Sequence, residues 1–203
     1  MRPPVRGERA SAVLHSAVLH HRTGPPLLCD GGRIITISSA AARMPNATQT
    51  SFAVSKGAVE TVSRILANQL GARGITVNAV TPGATRTATN GAVFDTPGLA
   101  HLTTGMTALD RLGTPGDVAD VVAFLASDAG RWVTGQVIDA GGGLFSARTP
   151  LEGLPNSAYC QVAGRMSAAA PWRAGFIGRR ALAALRKTSK CVLLAIVPMR
   201  RWL

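Results

Sequence analysis

The sequence has one tyrosine, Tyr159, in 203 residues, and aromatic residues make up only 4% of it. Its three cysteines, Cys29, Cys160 and Cys191, lie far apart. They show none of the paired spacings on which zinc sites and disulfide frameworks are built, so reduced thiols are expected. His20-His21 beside Cys29 has no second ligand pair to complete a metal site. His15 and His101 read as surface groups, and no metal is expected. No run approaches the roughly 18 apolar residues of a membrane span. The longest late run, Cys191 to Pro198, is far too short. The N-terminal arginines do not lead into an apolar stretch with a small-residue cleavage site, so no secretory signal is read and a cytoplasmic location is expected. What remains, at 46% hydrophobic and 16% charged residues, is a globular composition with enough chain for one domain core.

The net charge of +12 is unevenly spread. Residues 1–32 carry four basic and two acidic side chains, residues 33–143 eight and seven, and residues 144–203 ten and one. The middle is nearly neutral, as suits a small-molecule domain. The excess sits in the tail, on Arg179, Arg180, Arg186, Lys187, Lys190, Arg200 and Arg201 among others. Few aromatics interleave these residues and no nucleic-acid motif accompanies them. A solvated or disordered basic tail is therefore expected, rather than a nucleic-acid or anionic-membrane surface.

Three zones follow: an atypical N-terminal segment (1–32), an α/β domain (33–147) and the basic tail (148–203). In the first, Glu8 to His21 has apolar residues at helical spacing, ended by Pro25-Pro26. In the second, the β-branched run Arg33 to Ser38 predicts a strand. Val54, Ala58, Val62, Ile65, Leu66 and Leu70 then predict a helix over 51–70, stopped at Gly71 and Gly74. Gly74 to Val80 predicts a second strand closed by Pro82-Gly83, and Thr85 to Leu112 is turn-rich with weak helical signal. Thr114-Pro115-Gly116-Asp117 opens another helix: Thr114 as N-cap, Pro115 at its first position, Asp117 at the positive end of its dipole. A short strand over 135–140 precedes Gly141-Gly142-Gly143. Strands alternating with helices imply right-handed crossovers and a parallel sheet covered on both faces. In the tail, 175–195 is compatible with a basic helix.

Hydride transfer between a nicotinamide and a carbonyl or alcohol needs the cofactor held beside the substrate, a group to polarise the oxygen, and a proton donor of tuned pKa. A serine at a strand end, with a hydroxyl and an ammonium one helical turn apart on the next helix, supplies the last two, since spacing of four puts both side chains on one face. Several pieces of the chain fit that scheme. They are Ile37-Ser38-Ser39-Ala40-Ala41-Ala42, then Ser51-Phe52-Ala53-Val54-Ser55-Lys56-Gly57-Ala58-Val59, then Gly74-Ile75-Thr76-Val77-Asn78-Ala79-Val80-Thr81-Pro82-Gly83. With Arg111-Leu112-Gly113-Thr114-Pro115 and the stretch from Asp117 to Gly142, and in this order, they resemble the C-terminal half of a short-chain dehydrogenase/reductase.

The resemblance implies a partial Rossmann-like, doubly wound parallel sheet with irregular or helical flanks, NAD or NADP as cofactor, and a small carbonyl or alcohol substrate. By position, Ser39 matches the substrate-oxygen-binding serine, thirteen residues before the family's tyrosine position, and Lys56 matches the ribose-binding, pKa-lowering lysine. Pro82 and Gly83 match the turn that passes the nicotinamide. Thr85 and Thr87 match positions that bind its carboxamide, and the segment from Arg86 to Leu112 matches the variable substrate flap. The helix over 51–70 matches the subunit interface, implying a homo- or hetero-oligomer.

Two departures stand against these matches. Phe52 occupies the tyrosine position and cannot exchange a proton, a loss that typically costs about 10²–10⁴ in rate. No glycine-rich turn following a strand and opening a helix occurs in the sequence, so the pyrophosphate site of the dinucleotide fold is not expected. The serine strand is then expected at a sheet edge, with residues 1–32 the candidate cover. The expected function is an NAD(P)-dependent oxidoreductase of impaired or absent activity. A non-catalytic partner of an intact family member and a truncated gene fragment are the alternatives.

Overall fold

The computed structural model describes residues 29–44, 47–96 and 98–144, together with the backbone of the strand Val192–Ala195. The helix expected over 8–21, Cys160, and the tail from 148 apart from that strand lie outside the described residues.

The elements in chain order are β1 (Arg33–Ile37), α1 (Thr50–Leu70), β2 (Thr76–Pro82), α2 (Gly91–Phe94), α3 (Leu99–Gly105), α4 (Pro115–Ala126), β3 (Val137–Ala140) and β4 (Val192–Ala195). The strands form one sheet in the order β3-β2-β1-β4, and every pairing is parallel. β1 and β2 are buried along their whole length. That is why both read as continuous apolar or β-branched runs rather than as an alternation.

Alternate residues of each strand serve opposite faces. Ile35, Ile37 and Val80 pack with Val118, Val122 and Leu125 of α4. Ile34 and Val77 pack with Leu66, Ala67 and Leu70 of α1 and with Ile75. Helices therefore cover both faces, and the fold is a doubly wound parallel α/β layer.

The helix boundaries follow local chemistry. α1 ends at Leu70, passes through one 3-10 turn (Gly71–Arg73), and stops where Gly74 takes φ +66°, a left-handed conformation that favours glycine. α4 begins in a capping box: Thr114 Oγ1 accepts from the Asp117 N–H, and Asp117 Oδ2 accepts from the Thr114 N–H at 2.7 Å. Arg111 donates to both oxygens of Asp117, at 2.7 and 2.9 Å. Those bonds first, and the Thr114 bonds after them, hold the Asp117 carboxyl well below the usual carboxylate range.

The weak helical signal of the turn-rich segment from Thr85 to Leu112 corresponds to two short helices, α2 and α3. The structure corrects the sequence reading in two places. Part of the expected helix over 175–195 is strand: Val192–Ala195 is β4. Helical spacing of Leu and Ala is a weak prior that an open strand edge overrides. Second, β1 is not the sheet edge among the described residues, because β4, from the C-terminal segment, pairs with it.

Candidate active site

The sequence-predicted residues gather at the C-terminal ends of β1 and β2, where parallel α/β sheets bind their ligands. β1 delivers Ser38 and Ser39, and β2 delivers Pro82 and Gly83. α1, whose first turns lie between them in sequence, delivers Phe52 and Lys56. The two strand ends are tied directly, since the Ser38 N–H donates to the Val80 carbonyl at 2.8 Å.

Ser39 is half-buried and extended, and its Oγ accepts from the Ala41 N–H at 3.2 Å, capping the turn Ala40–Ala42. Its hydroxyl proton is left to a further acceptor. Lys56 is buried, and its Nζ donates to the Ile37 carbonyl at 2.9 Å. Among the described residues that is the one hydrogen bond it makes, so two of its three N–H donors remain available. Its Nζ lies 5.7 Å from the centre of the Phe52 ring, a cation–π distance. Burial pushes the Lys56 ammonium down to about 8. Phe52 thus offers the ammonium a π-face where a tyrosine would offer a hydroxyl; it attracts the cation but has no proton to exchange.

One turn beyond Lys56 lies Glu60, a residue that sequence reading passed over. Its buried Oε1 accepts from Ser38 Oγ at 2.8 Å and from Thr81 Oγ1 at 3.4 Å, and lies 3.9 Å from the Arg43 guanidinium. One carboxylate therefore joins α1, the end of β1, the end of β2 and the loop after Ser39. Phe52, Lys56, Glu60 and Ser63 fall at successive i, i+4 and i, i+3 steps, so they share one face of α1. The signal in the sequence was a carboxylate on the core-facing row, four residues after Lys56. Ser38 was hidden behind its neighbour, and nothing local to Thr81 singled it out.

Gly83 is required by a close backbone approach: a Cβ there would sit 2.6 Å from the Gly141 Cα. The chain thereby binds the Pro82-Gly83 turn against the end of β3. Thr85 and Thr87 are buried, and their polar groups are engaged within the loop. Thr85 Oγ1 donates to the Gly83 carbonyl at 3.2 Å, and the Thr87 N–H donates to Asn90 Oδ1 at 2.6 Å. Asn90 Nδ2 in turn donates to the Thr85 carbonyl at 2.9 Å, and the two threonine hydroxyls of Thr87 and Thr89 bond at 3.0 Å. The structure therefore brings Ser39, Lys56, Phe52 and the Pro82-Gly83 turn to one end of the sheet, while Thr85 and Thr87 are committed to holding the flap's first turn. Among the described residues no group of His, Cys, Asp and Glu could hold a metal, and no helix is long and apolar enough to cross a membrane.

Known proteins resemble this chain in sequence and fold. The family model described as enoyl-(acyl carrier protein) reductase matches residues 10–145. An uncharacterised oxidoreductase of Methylorubrum extorquens is 45% identical over 122 residues, which cover 58% of this chain and 48% of that protein. A 3-oxoacyl-(acyl-carrier-protein) reductase of Pseudomonas aeruginosa is 42% identical over 114 residues, covering 56% and 45%. This chain spans about half the length of the curated relatives it matches. Among solved structures, the angucycline C-6 ketoreductase LanV with bound NADP superposes with a TM-score of 0.65 at 33% identity, covering 72% of this chain and 56% of that one. The reductase LugOII, which carries out keto-reduction at C1 in lugdunomycin biosynthesis, gives 0.60 at 43% identity over 64% and 51%. The serine strand, the Phe52–Lys56 helix and the Pro82-Gly83 turn, on a doubly wound sheet and within a match spanning residues 10–145, make this chain a member of the short-chain dehydrogenase/reductase family.

Proposed function

We propose that the chain carries the substrate side of an NAD(P)-dependent carbonyl or alcohol oxidoreductase, with hydride chemistry impaired at Phe52. The observation that carries this reading is the Phe52 ring 5.7 Å from the Lys56 ammonium, where the acid–base hydroxyl would stand. In this reading Ser39 holds the substrate oxygen, and the two available Lys56 donors take the nicotinamide ribose hydroxyls. The Pro82-Gly83 turn, held against Gly141, is the surface beside which the ring lies. The bound dinucleotide would supply the hydride. These residues fit the nicotinamide end, whereas no described residue forms a glycine-rich pyrophosphate turn. Thr85 and Thr87 reach the carboxamide only if their internal bonds rearrange.

Calorimetric titration with NADPH and NADH, followed by a ketone and alcohol panel read by nicotinamide absorbance, tests the proposal on the parent chain and on Phe52→Tyr. Weak dinucleotide binding is expected, because no described residue forms a pyrophosphate turn, and for the same reason turnover should stay low in Phe52→Tyr as in the parent. A rise of about 10²–10⁴ in Phe52→Tyr would make the missing proton donor the whole of the impairment. Failure of both proteins to bind either dinucleotide would overturn the enzyme reading.

A second reading has its own observation. The outer face of α1 exposes Val54 (54%) and Ile65 (47%), with the partly buried Ala58 between them. This face suits docking onto an intact family member as a non-catalytic partner. Co-expression with such a protein should yield a mixed oligomer by size exclusion; two separate species would count against it.

A further inference from the structure

β1 is buried throughout, yet one of its edges is covered by a segment that the family match does not reach, since that match stops at residue 145. β4 lies parallel to β1 with Val192 opposite Arg33 and Ala195 opposite Thr36. Residues 145–191 separate the two in sequence from the end of the α/β domain. The backbone groups of β1 can be assigned to their sides. The Ser38 N–H donates to the Val80 carbonyl, and the Gly32 carbonyl accepts from the Thr76 N–H, both toward β2. Because successive residues of a strand face opposite neighbours, Ile34 and Thr36 also face β2. Arg33, Ile35 and Ile37 then present their N–H and C=O groups to the other edge. β4 ends opposite Thr36, one residue short of Ile37, and the Ile37 carbonyl on that edge receives the Lys56 ammonium instead. Side-chain ammonium and tail strand thus divide one edge between them.

We propose that Val192–Ala195 is a built-in edge cap: in cis it fills the strand-docking site of β1 that would otherwise take a strand from a second copy of this chain. An uncovered, fully buried run such as Arg33-Ile34-Ile35-Thr36-Ile37 has the composition of a strand that recruits another by edge pairing. The tail run Cys191-Val192-Leu193-Leu194-Ala195-Ile196-Val197 has the aliphatic content of its complement. Lys187 and Lys190 precede that run and Arg200 and Arg201 follow it. Like charges flanking an aliphatic run oppose pairing of one tail with another and leave the near-neutral β1 edge as the favoured acceptor. The basic excess of the tail, which no ligand of the oxidoreductase reading requires, acquires a use. This inference does not depend on the proposed hydride chemistry.

Amide hydrogen exchange on the full chain tests it residue by residue. In the parent chain the Ile35 amide, facing β4, should be as protected as the Thr36 amide, facing β2. In Leu193→Pro/Leu194→Pro, one of the two lost N–H groups must face β1 whichever way β4 is turned. Ile35 should then exchange at least about tenfold faster, the effect of losing roughly one hydrogen bond, while Thr36 stays protected. That loss is expected in dilute protein; at higher concentration the variant should elute as a dimer or larger species, with Ile35 protected again once a strand of the second copy fills the edge. An Ile35 amide already far less protected than Thr36 in the parent would overturn the proposal, as would a variant that keeps the parent's size at every concentration.

Should the proline pair unfold the chain, a cross-link decides the matter in a background with Cys29, Cys160 and Cys191 replaced by serine. Thr36→Cys/Ala195→Cys, an opposed pair, should close an intrachain disulfide, whereas Thr36→Cys/Val192→Cys should not. No intrachain bond in the opposed pair, or equal yields in both, would sink the proposal.

Discussion

The two faces of the sheet are built on different terms. Against α4 itself the contact is apolar: Ile35, Ile37 and Val80 meet Val118, Val122 and Leu125, and the last three are completely shielded from solvent. Against α1 the apolar cluster occupies the C-terminal half of the helix, around Leu66 and Leu70. The first two-thirds of the helix bury Ser55, Lys56, Glu60 and Ser63, with Val59 the one buried aliphatic residue among them. Each of those polar groups has a partner: Ser55 the Phe52 carbonyl, Lys56 the Ile37 carbonyl, Glu60 the Ser38 hydroxyl, and Ser63 the Thr36 hydroxyl. One face holds the layer together while the other holds polar side chains in fixed positions at the strand ends. Burial there costs desolvation that only these bonds offset.

The comparison can be broken most forcefully on the apolar side. Leu125→Ala should lower stability by about 2–5 kcal/mol, read as a shift of the urea midpoint, because it empties a site with no solvent access. A loss well under 1 kcal/mol would mean that α4 is not the structural face.

The next largest effect separates the faces by pH. Lys56 has a folded value of about 8 against an ordinary value of 10.5. Between the two the unfolded chain binds more proton, so raising the pH through that window favours the folded state. The gain is about 3 kcal/mol, complete once the pH exceeds 10.5 and absent below 8. Lys56→Met should therefore be more stable than the parent at pH 7 and should lose this rise between pH 8 and 10.5. Parallel stability curves for the two proteins would show that the ammonium is not desolvated.

A smaller effect sharpens the polar side. Glu60→Ala removes the acceptor of the buried Thr81 hydroxyl and leaves Ser38 only its longer 3.4 Å bond to the Lys56 carbonyl, and should cost about 1–3 kcal/mol. Glu60→Gln keeps an acceptor oxygen and should cost less. Equal losses in a thermal melt would assign the effect to the carboxylate's charge, through Arg43, rather than to the bonds that tie the strand ends.

Much of the fold was legible before any coordinates. β-branched runs placed β1 and β2, helical spacing placed α1, and the Thr114-Pro115-Gly116-Asp117 signature placed the start of α4 to the residue, because caps and turns are written in local chemistry. The candidate site was named as positions, Ser39, Phe52, Lys56 and the Pro82-Gly83 turn, and the fold brings these to one end of the sheet. Glu60 was not named, because its partners Ser38 and Thr81 lie 22 and 21 residues away and only the folded sheet brings them together. Thr85 and Thr87 were legible as positions too, but their commitment to Asn90 and Gly83 is a property of the folded loop.

By itself the sequence determined the family resemblance, the alternation of strands and helices, and the absence of a proton-bearing group at residue 52, since each is carried by residue type and short-range spacing. Only the tertiary structure decided what Lys56 touches in that hydroxyl's absence. It also decided which carboxylate locks the strand ends and what covers β1. The aliphatic run at 192–195 favours neither helix nor strand strongly on its own, and the open β1 edge, more than a hundred residues away, settles it as strand through backbone hydrogen bonds that no local pattern encodes.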